Sequence, residues 1–247
     1  MRKHYFHLLR LSTLLVFVTS CTTITRPSPT PVVSPIPTLS PELAGDSENI
    51  QQPDGTTIYI DHNAGFELTL PADWLSVRPG TSEFINSLER EGAKNQALLG
   101  QMELDLNYSP DIDRYFIYAT KPTELKNSLS AHGKLYWISS DTRPMTQSTL
   151  DELLKEREAA EGIPGLQITT SSVVTNLNNT PVIVIVANWV QESSNGTTES
   201  PWDLTTIYFN PPENGTALIW IITKDEFRDV IDPDVNAIIQ SIKLVGK

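Results

Sequence analysis

From about Thr56 onward, apolar and polar residues alternate along the chain with the two-residue period of half-buried strands. Thr56–Ile60 and Phe66–Leu70 flank His62-Asn63-Ala64-Gly65 and predict a hairpin. Pro71 to Trp74 predicts a turn, and Leu75–Arg78 a short third strand. Between Thr81 and about Leu106 the period becomes helical, through Phe84, Ile85, Leu88, Leu98, Leu99 and Met102. Gly92 and Gly100 are expected to bend or break that helix. Strands are predicted at Tyr115–Ala119 and Lys134–Ser139. Thr149-Leu-Asp-Glu152 has the form of a capping box, opening a helix that should stop near Gly162-Ile-Pro164.

The second half predicts four more strands, Leu166–Val174, Pro181–Val190, Trp202–Asn210 and Thr216–Thr223. Asn195-Gly196 and Asn214-Gly215 supply turn signals between them. The last element is expected to begin at Asp232-Pro233, a cap followed by a first-turn proline. Val235, Ile238, Ile239 and Ile242 then share one helical face. Strands in series with helices packed against them define an α+β class, an antiparallel sheet flanked by helices.

The first 54 residues follow neither period. Residues 1–20 begin with Arg2 and Lys3 and continue into an apolar stretch, Leu11 to Val18. That stretch is shorter than the ~20 residues a membrane-spanning helix needs, and it has the layout of an export signal. Val18-Thr19-Ser20-Cys21 resembles the lipobox of bacterial lipoproteins: an aliphatic residue, two small ones, and the cysteine to be modified. The resemblance implies cleavage before Cys21, lipidation of its thiol, and a membrane anchor outside the cytoplasm. Thr22 stands where an Asp would resemble an inner-membrane retention signal. Each buried methylene contributes ~0.8 kcal/mol, so two or three acyl chains would hold firmly where one holds marginally. Residues 24–41 carry six prolines, at 27, 29, 31, 35, 37 and 41. They predict an extended spacer of up to ~56 Å at ~3.1 Å per residue. The expected organisation is a signal peptide over 1–20, a lipidated cysteine and linker over 21–54, and one globular domain over 55–247.

Charge narrows the function classes. The chain's formal charge is −12, and removal of residues 1–20, which hold three bases and no acid, takes it to −15. Phosphate-backbone binding needs clustered Lys and Arg, so no nucleic-acid partner is expected. Cys21 is the single cysteine, which excludes an internal disulfide and a thiolate metal cluster.

Gly65-Phe-Glu-Leu-Thr-Leu-Pro-Ala-Asp-Trp74, followed by Leu75-Ser-Val77, resembles the opening of the PsbP/Mog-like α/β/α sandwich domains. The strands from Pro181 to Thr223, followed by a helix ending Ile238-Ile-Gln-Ser241-Ile242, are similar to their close. The resemblance covers about residues 56–247. It implies a sandwich fold and a binding or assembly role without catalysis, since known members are photosystem subunits, partners of a small GTPase and bacterial lipoproteins of unknown role.

Candidate chemistry is sparse. His62 and His132 are each expected in a loop, with no further ligand at metal spacing. There is no Gly-x-Ser-x-Gly turn and no phosphate-cradling glycine loop. Two acidic clusters, Glu103/Asp105/Asp111/Asp113 and Asp225/Glu226/Asp229/Asp232/Asp234, read first as solvated charge. They also leave open a carboxylate hydrolase, calcium-dependent or not. Trp74, Trp137, Trp189, Trp202 and Trp220 are expected in the core, with Trp202 the one that keeps carbohydrate binding open. No catalytic, cofactor or metal site is assigned. The leading reading is a lipid-anchored, extracytoplasmic binding or assembly module with a membrane anchor at Cys21 and an envelope protein as partner.

Overall fold

The computed structural model describes residues 47–78, 112–118, 131–138, 141–159, 165–190, 201–212 and 215–245. Cys21, the proline-rich stretch, the helical period of 81–106 and Asn195-Gly196 lie outside them. The described elements are α+β: eleven strands in two antiparallel sheets, two α-helices and one 3-10 turn.

The smaller sheet contains β1 (Ser47–Gln51), β2 (Thr57–Asp61), β3 (Phe66–Leu70) and β11 (Lys243–Leu244), in the order β1-β2-β3-β11. β2 and β3 form the expected hairpin, closing at Asp61↔Phe66. Asp61 Oδ1 accepts from Ala64 N at 2.8 Å, and Gly65 follows at φ +76°. A side chain there would also press on Val245 O, 3.0 Å from its Cβ position, so glycine is required twice over.

The larger sheet holds β4 (Trp74–Val77), β5 (Ile112–Tyr118), β6 (Ala131–Ile138), β7 (Gln167–Thr175), β8 (Pro181–Trp189), β9 (Trp202–Phe209) and β10 (Thr216–Lys224). Its order is β4-β5-β6-β10-β9-β8-β7. After β6 the chain passes through α1 (Gln147–Ala159) to the far edge and returns strand by strand.

Both faces of this sheet are covered. On one, Met145, Leu150 and Leu153 of α1 and the residues before it pack on Ile183, Ile185, Tyr208 and Leu218. On the other, α2 (Arg228–Ser241) and the smaller sheet pack on Leu135, Ile207, Phe209, Ile219 and Ile221. Strand parity separates the two: in β10, odd residues face α2 and even ones face α1. A strand buried on both sides needs no polar residue, which is why Val182-Ile-Val-Ile-Val186 lacks alternation.

The two short motifs that carried the family resemblance meet across this core. Trp74, 1% exposed, donates its indole N–H to Asp234 Oδ2 of α2 at 2.9 Å. Ser241 Oγ accepts from Thr69 N of β3 at 2.8 Å and donates to Ile238 O at 2.7 Å. Buried Arg114 joins the two sheets, reaching Ser76 Oγ at 3.0 Å and Ser47 Oγ at 2.7 Å over the Tyr59 ring.

Both helices begin earlier than the sequence predicts. Thr146, not Thr149, caps α1: its Oγ1 accepts from Thr149 N at 3.4 Å, while Thr149 Oγ1 turns back to Pro144 O at 2.6 Å. α2 starts at Arg228 behind a 3-10 turn, Asp225–Phe227, and so contains Pro233. Pro233 has no N–H to offer the carbonyl four residues back, which belongs to the exposed residue Asp229.

Candidate functional site

α2 is tied to the β7–β9 edge of the larger sheet at both ends and stands off it in between. At its start, Arg228 donates from Nε to Asp203 Oδ2 at 2.8 Å and from Nη2 to Oδ1 at 2.6 Å, a two-pronged pair. Arg228 also reaches Asp225 Oδ1 at 2.8 Å. The Asp203 hydrogen bonds hold the Arg228 guanidinium above its usual pKa.

At the far end, Asn176 is buried in the β7–β8 turn. Its Nδ2 donates to Ile239 O at 2.9 Å and Ile242 O at 2.7 Å, satisfying carbonyls that the helix end leaves free. Its Oδ1 accepts from Asn178 N and Thr180 N, both at 3.0 Å, and so shapes the turn itself. Asn179 occupies the left-handed region at φ 58°, which Asn tolerates better than most residues.

Between the two clasps lies an open groove of about 420 Å³, within the range of small-ligand sites. Strand register lays its floor in rows. Thr223 of β10 stands opposite Asp203 of β9, which stands opposite Asn188 of β8. The next row inward runs Thr205, Val186, Thr170. Val184 lies beyond, and Val235 and Ile239 of α2 supply an apolar wall. The floor therefore grades from polar near Arg228 to apolar toward the helix end.

The polar lining has hydrogen-bonding capacity to spare. The side chains of Thr170, Asn188, Thr205, Thr223, Asp232 and Asn236 make no hydrogen bond to any described residue. Asp232 follows Arg228 by one helical turn and is not ion-paired to it. Burial, and then the carboxylates of Asp203, Asp229 and Asp225, raise the Asp232 pKa against the opposing pull of Arg228.

Several carboxylates of the two acidic clusters are engaged by other described residues. Asp225 is paired with Arg228, Asp234 holds Trp74, and Asp113 faces Arg78 at 3.4 Å. No group of three or more His, Cys, Asp or Glu at metal-binding spacing occurs among the described residues. Glu103, Asp105 and Asp111 lie outside them. His62 is exposed in the β2–β3 loop, 3.5 Å from Glu48 Oε1. His132 is not in a loop: it sits inside β6, 2% exposed. Burial, with Lys134 nearby, lowers its pKa to about 3, and neither ring nitrogen has a hydrogen-bond partner among the described residues.

Trp202, the aromatic that kept a sugar site open, has two close neighbours. Trp189 on one neighbouring strand stacks with it at 6.2 Å between ring centres, and Lys224 Nζ on the other neighbouring strand lies 5.3 Å from its ring centre. Sequence reasoning missed Asp203, Asn188, Thr205, Thr223 and Arg228, which read singly as strand and helix residues and become a site only through register.

No helix among the described residues is long and apolar enough to cross a membrane. No family model matches this chain, and no curated protein matches it by sequence. Among solved structures the chain is similar to CyanoP, the cyanobacterial PsbP of Synechocystis sp. PCC 6803. That likeness has 11% identity and a TM-score of 0.45, over 78% of this chain and 94% of that one. It is also similar to LpqN of Mycobacterium tuberculosis, involved in cell envelope biogenesis, at 14% identity and a TM-score of 0.41, over 81% of this chain and 91% of that one.

Proposed function

We propose that this chain is an extracytoplasmic lipoprotein, anchored through lipidated Cys21, whose domain is a non-catalytic binding or assembly module. Its ligand or partner enters the groove beside α2. The observation that carries the reading is the lining of that groove. Six polar side chains line it without a hydrogen-bond partner among the described residues, while Arg228 and Asp203 beside them are consumed by each other. A surface built this way offers hydrogen bonds to a visitor and holds its own shape while doing so. The anchor rests on the lipobox-like Val18-Thr19-Ser20-Cys21, and the proline-rich stretch after it gives the domain reach from the membrane.

The test is photo-crosslinking in intact envelopes, with a photoreactive residue at Asn236 in the groove or at Lys155 on the opposite helix. A discrete adduct from Asn236 but not Lys155 is expected, together with a lipid mass on Cys21 in native material. Equal labelling from both positions, or none from Asn236, would refute the groove as the binding surface. A free Cys21 thiol would refute the anchor.

A further inference from the structure

The two sheets have four edges among the described residues, and three of them are guarded against pairing with another chain. β1 carries the charge of Glu48, β4 is four residues long and mostly buried, and β11 is two residues long. β7 has none of these protections. It is nine residues long, Gln167–Thr175, seven of them exposed, and it holds no charged residue and no proline. Among the described residues no strand pairs with its outer side. The β-bulge between Ile168 and Thr170 disturbs only its start, and Thr170–Thr175 run in unbroken register against Val186–Pro181 of β8. Alternate residues of that run turn N–H and C=O outward, away from β8, the template on which a further strand pairs.

Charge indicates which strand this edge meets. The chain has 19% charged residues and a formal charge of −12, so two copies repel each other over most of their surface. Residues 163–191, which hold β7, its turn and β8, contain no Asp, Glu, Lys, Arg or His. The long exposed edge therefore lies in a stretch where a second copy meets no like charge. We propose that β7 pairs antiparallel with β7 of a second copy, joining two seven-stranded sheets into one across a two-fold axis. The two members of a cross-strand pair lie on one face, so in a pairing of identical strands their numbers have equal parity. That puts the axis on a residue, Ser172 or Val173, with five residues of the unbroken run paired on each copy. Centred on Ser172, Thr170 faces Val174 and Ser171 faces Val173. Centred on Val173, Ser171 faces Thr175 and Ser172 faces Val174. Both registers bring small hydroxyl and β-branched side chains together and avoid the like-charge pairs that weaken a ladder. An axis perpendicular to the sheet keeps both α1 helices on one face and both α2 grooves on the other, above one continuous floor. The pairing does not depend on what the groove binds.

Crosslinking with a short bis-maleimide in intact envelopes tests the contact. Ser172→Cys should give a covalent dimer, and Ile50→Cys, on the exposed β1 edge, should not; the parent, whose single cysteine is Cys21, sets the background. Sedimentation of the purified full chain should show a mass that rises with concentration from one copy toward two. Ser172→Lys sets like charges side by side at the axis and should weaken dimerisation about tenfold or more. Ser172→Asp should do the same, and an equimolar mixture of the Lys and Asp variants should regain the dimer, which misfolded variants would not. A parent that stays monomeric up to about 1 mM, a Ser172→Lys variant that dimerises as the parent does, or a mixture that stays monomeric would overturn the proposal. So would crosslinking from Ile50→Cys equal to that from Ser172→Cys, or adducts from Ser172→Cys only to a different protein.

Discussion

Replacing Asn176 tests whether α2 is held in place by its far clasp. The side chain makes four hydrogen bonds, two to carbonyls at the end of α2 and two from amides of its own turn. Each is worth roughly 0.5–1.5 kcal/mol net, and the freed carbonyls are in a buried setting, so Asn176→Ala should cost about 3 kcal/mol. For a domain of this size that corresponds to a fall in Tm of about 6–12 °C. Asn176→Asp retains both acceptor roles, loses both donors, and places a carboxylate against carbonyls at the negative end of the helix dipole. It should therefore be worse than Asn176→Ala at neutral pH. Its folded-state pKa would be raised, so the deficit should shrink as pH falls and the carboxyl takes up a proton. Thermal unfolding followed by circular dichroism measures all three. Leu177→Ala is the internal control, since Leu177 belongs to the same turn but is 83% exposed, and it should change stability by less than about 0.5 kcal/mol. An Asn176→Ala variant within about 1 kcal/mol of the parent, or an Asp variant no worse than Ala at pH 7, would refute the clasp.

Two further substitutions follow from titrating groups. His132 has its pKa lowered to about 3 from 6.5, so the unfolded chain gains a proton that the folded one refuses as pH falls between those values, and stability declines across that window. His132→Leu should flatten the acid limb of urea-unfolding stability against pH and be neutral or stabilising at pH 7; an unchanged acid limb would contradict it. Asp232 has the opposite sign from a salt-bridged acid: with its folded pKa raised, its ionised form opposes folding, and stability is gained as pH falls through that value. Asp232→Asn should therefore raise Tm at pH 7, with the gain vanishing in acid; a lowered Tm at pH 7 would contradict it.

Much of the architecture was legible because burial imposes a period. β2, β3, β9 and β10 face a core on at least one side, and the hairpin at His62–Gly65 has turn residues that leave few alternatives. β1 was not legible: Ser47-Glu-Asn-Ile-Gln51 is an edge strand with four exposed positions, so no core wrote a pattern into it. His132 was misplaced because Gly133 breaks the alternation beside it. That glycine is demanded by packing, since a Cβ there would lie 3.2 Å from both Phe116 Cβ and Trp220 O. The helix starts were displaced by one turn because Thr149-Leu-Asp-Glu152 and Asp232-Pro233 satisfy the sequence rules for a first turn while sitting in the second. The groove was least legible of all, because Thr223, Asp203 and Asn188 are neighbours only through the pairing of three strands.

One face of the larger sheet is divided into two chemical zones. Under α2 and the smaller sheet that face carries Leu135, Ala217, Ile219, Ile221, Ile207 and Phe209, all buried. Toward the Arg228 end of α2 the same face carries Thr223, Thr205, Asn188 and Thr170. Strand propensity would accept valine or isoleucine at each of these positions as readily as threonine, and better than asparagine. A fold seeking only stability could extend the aliphatic zone and draw α2 down onto it. Instead the helix turns Arg228, Asp232 and Asn236, spaced one turn apart, toward this polar floor and is fixed at both ends by hydrogen bonds that do not depend on filling the middle. A rigid frame around an unfilled polar floor gains nothing in the free molecule. It lowers the ordering cost of binding, because neither wall has to be immobilised when a ligand arrives.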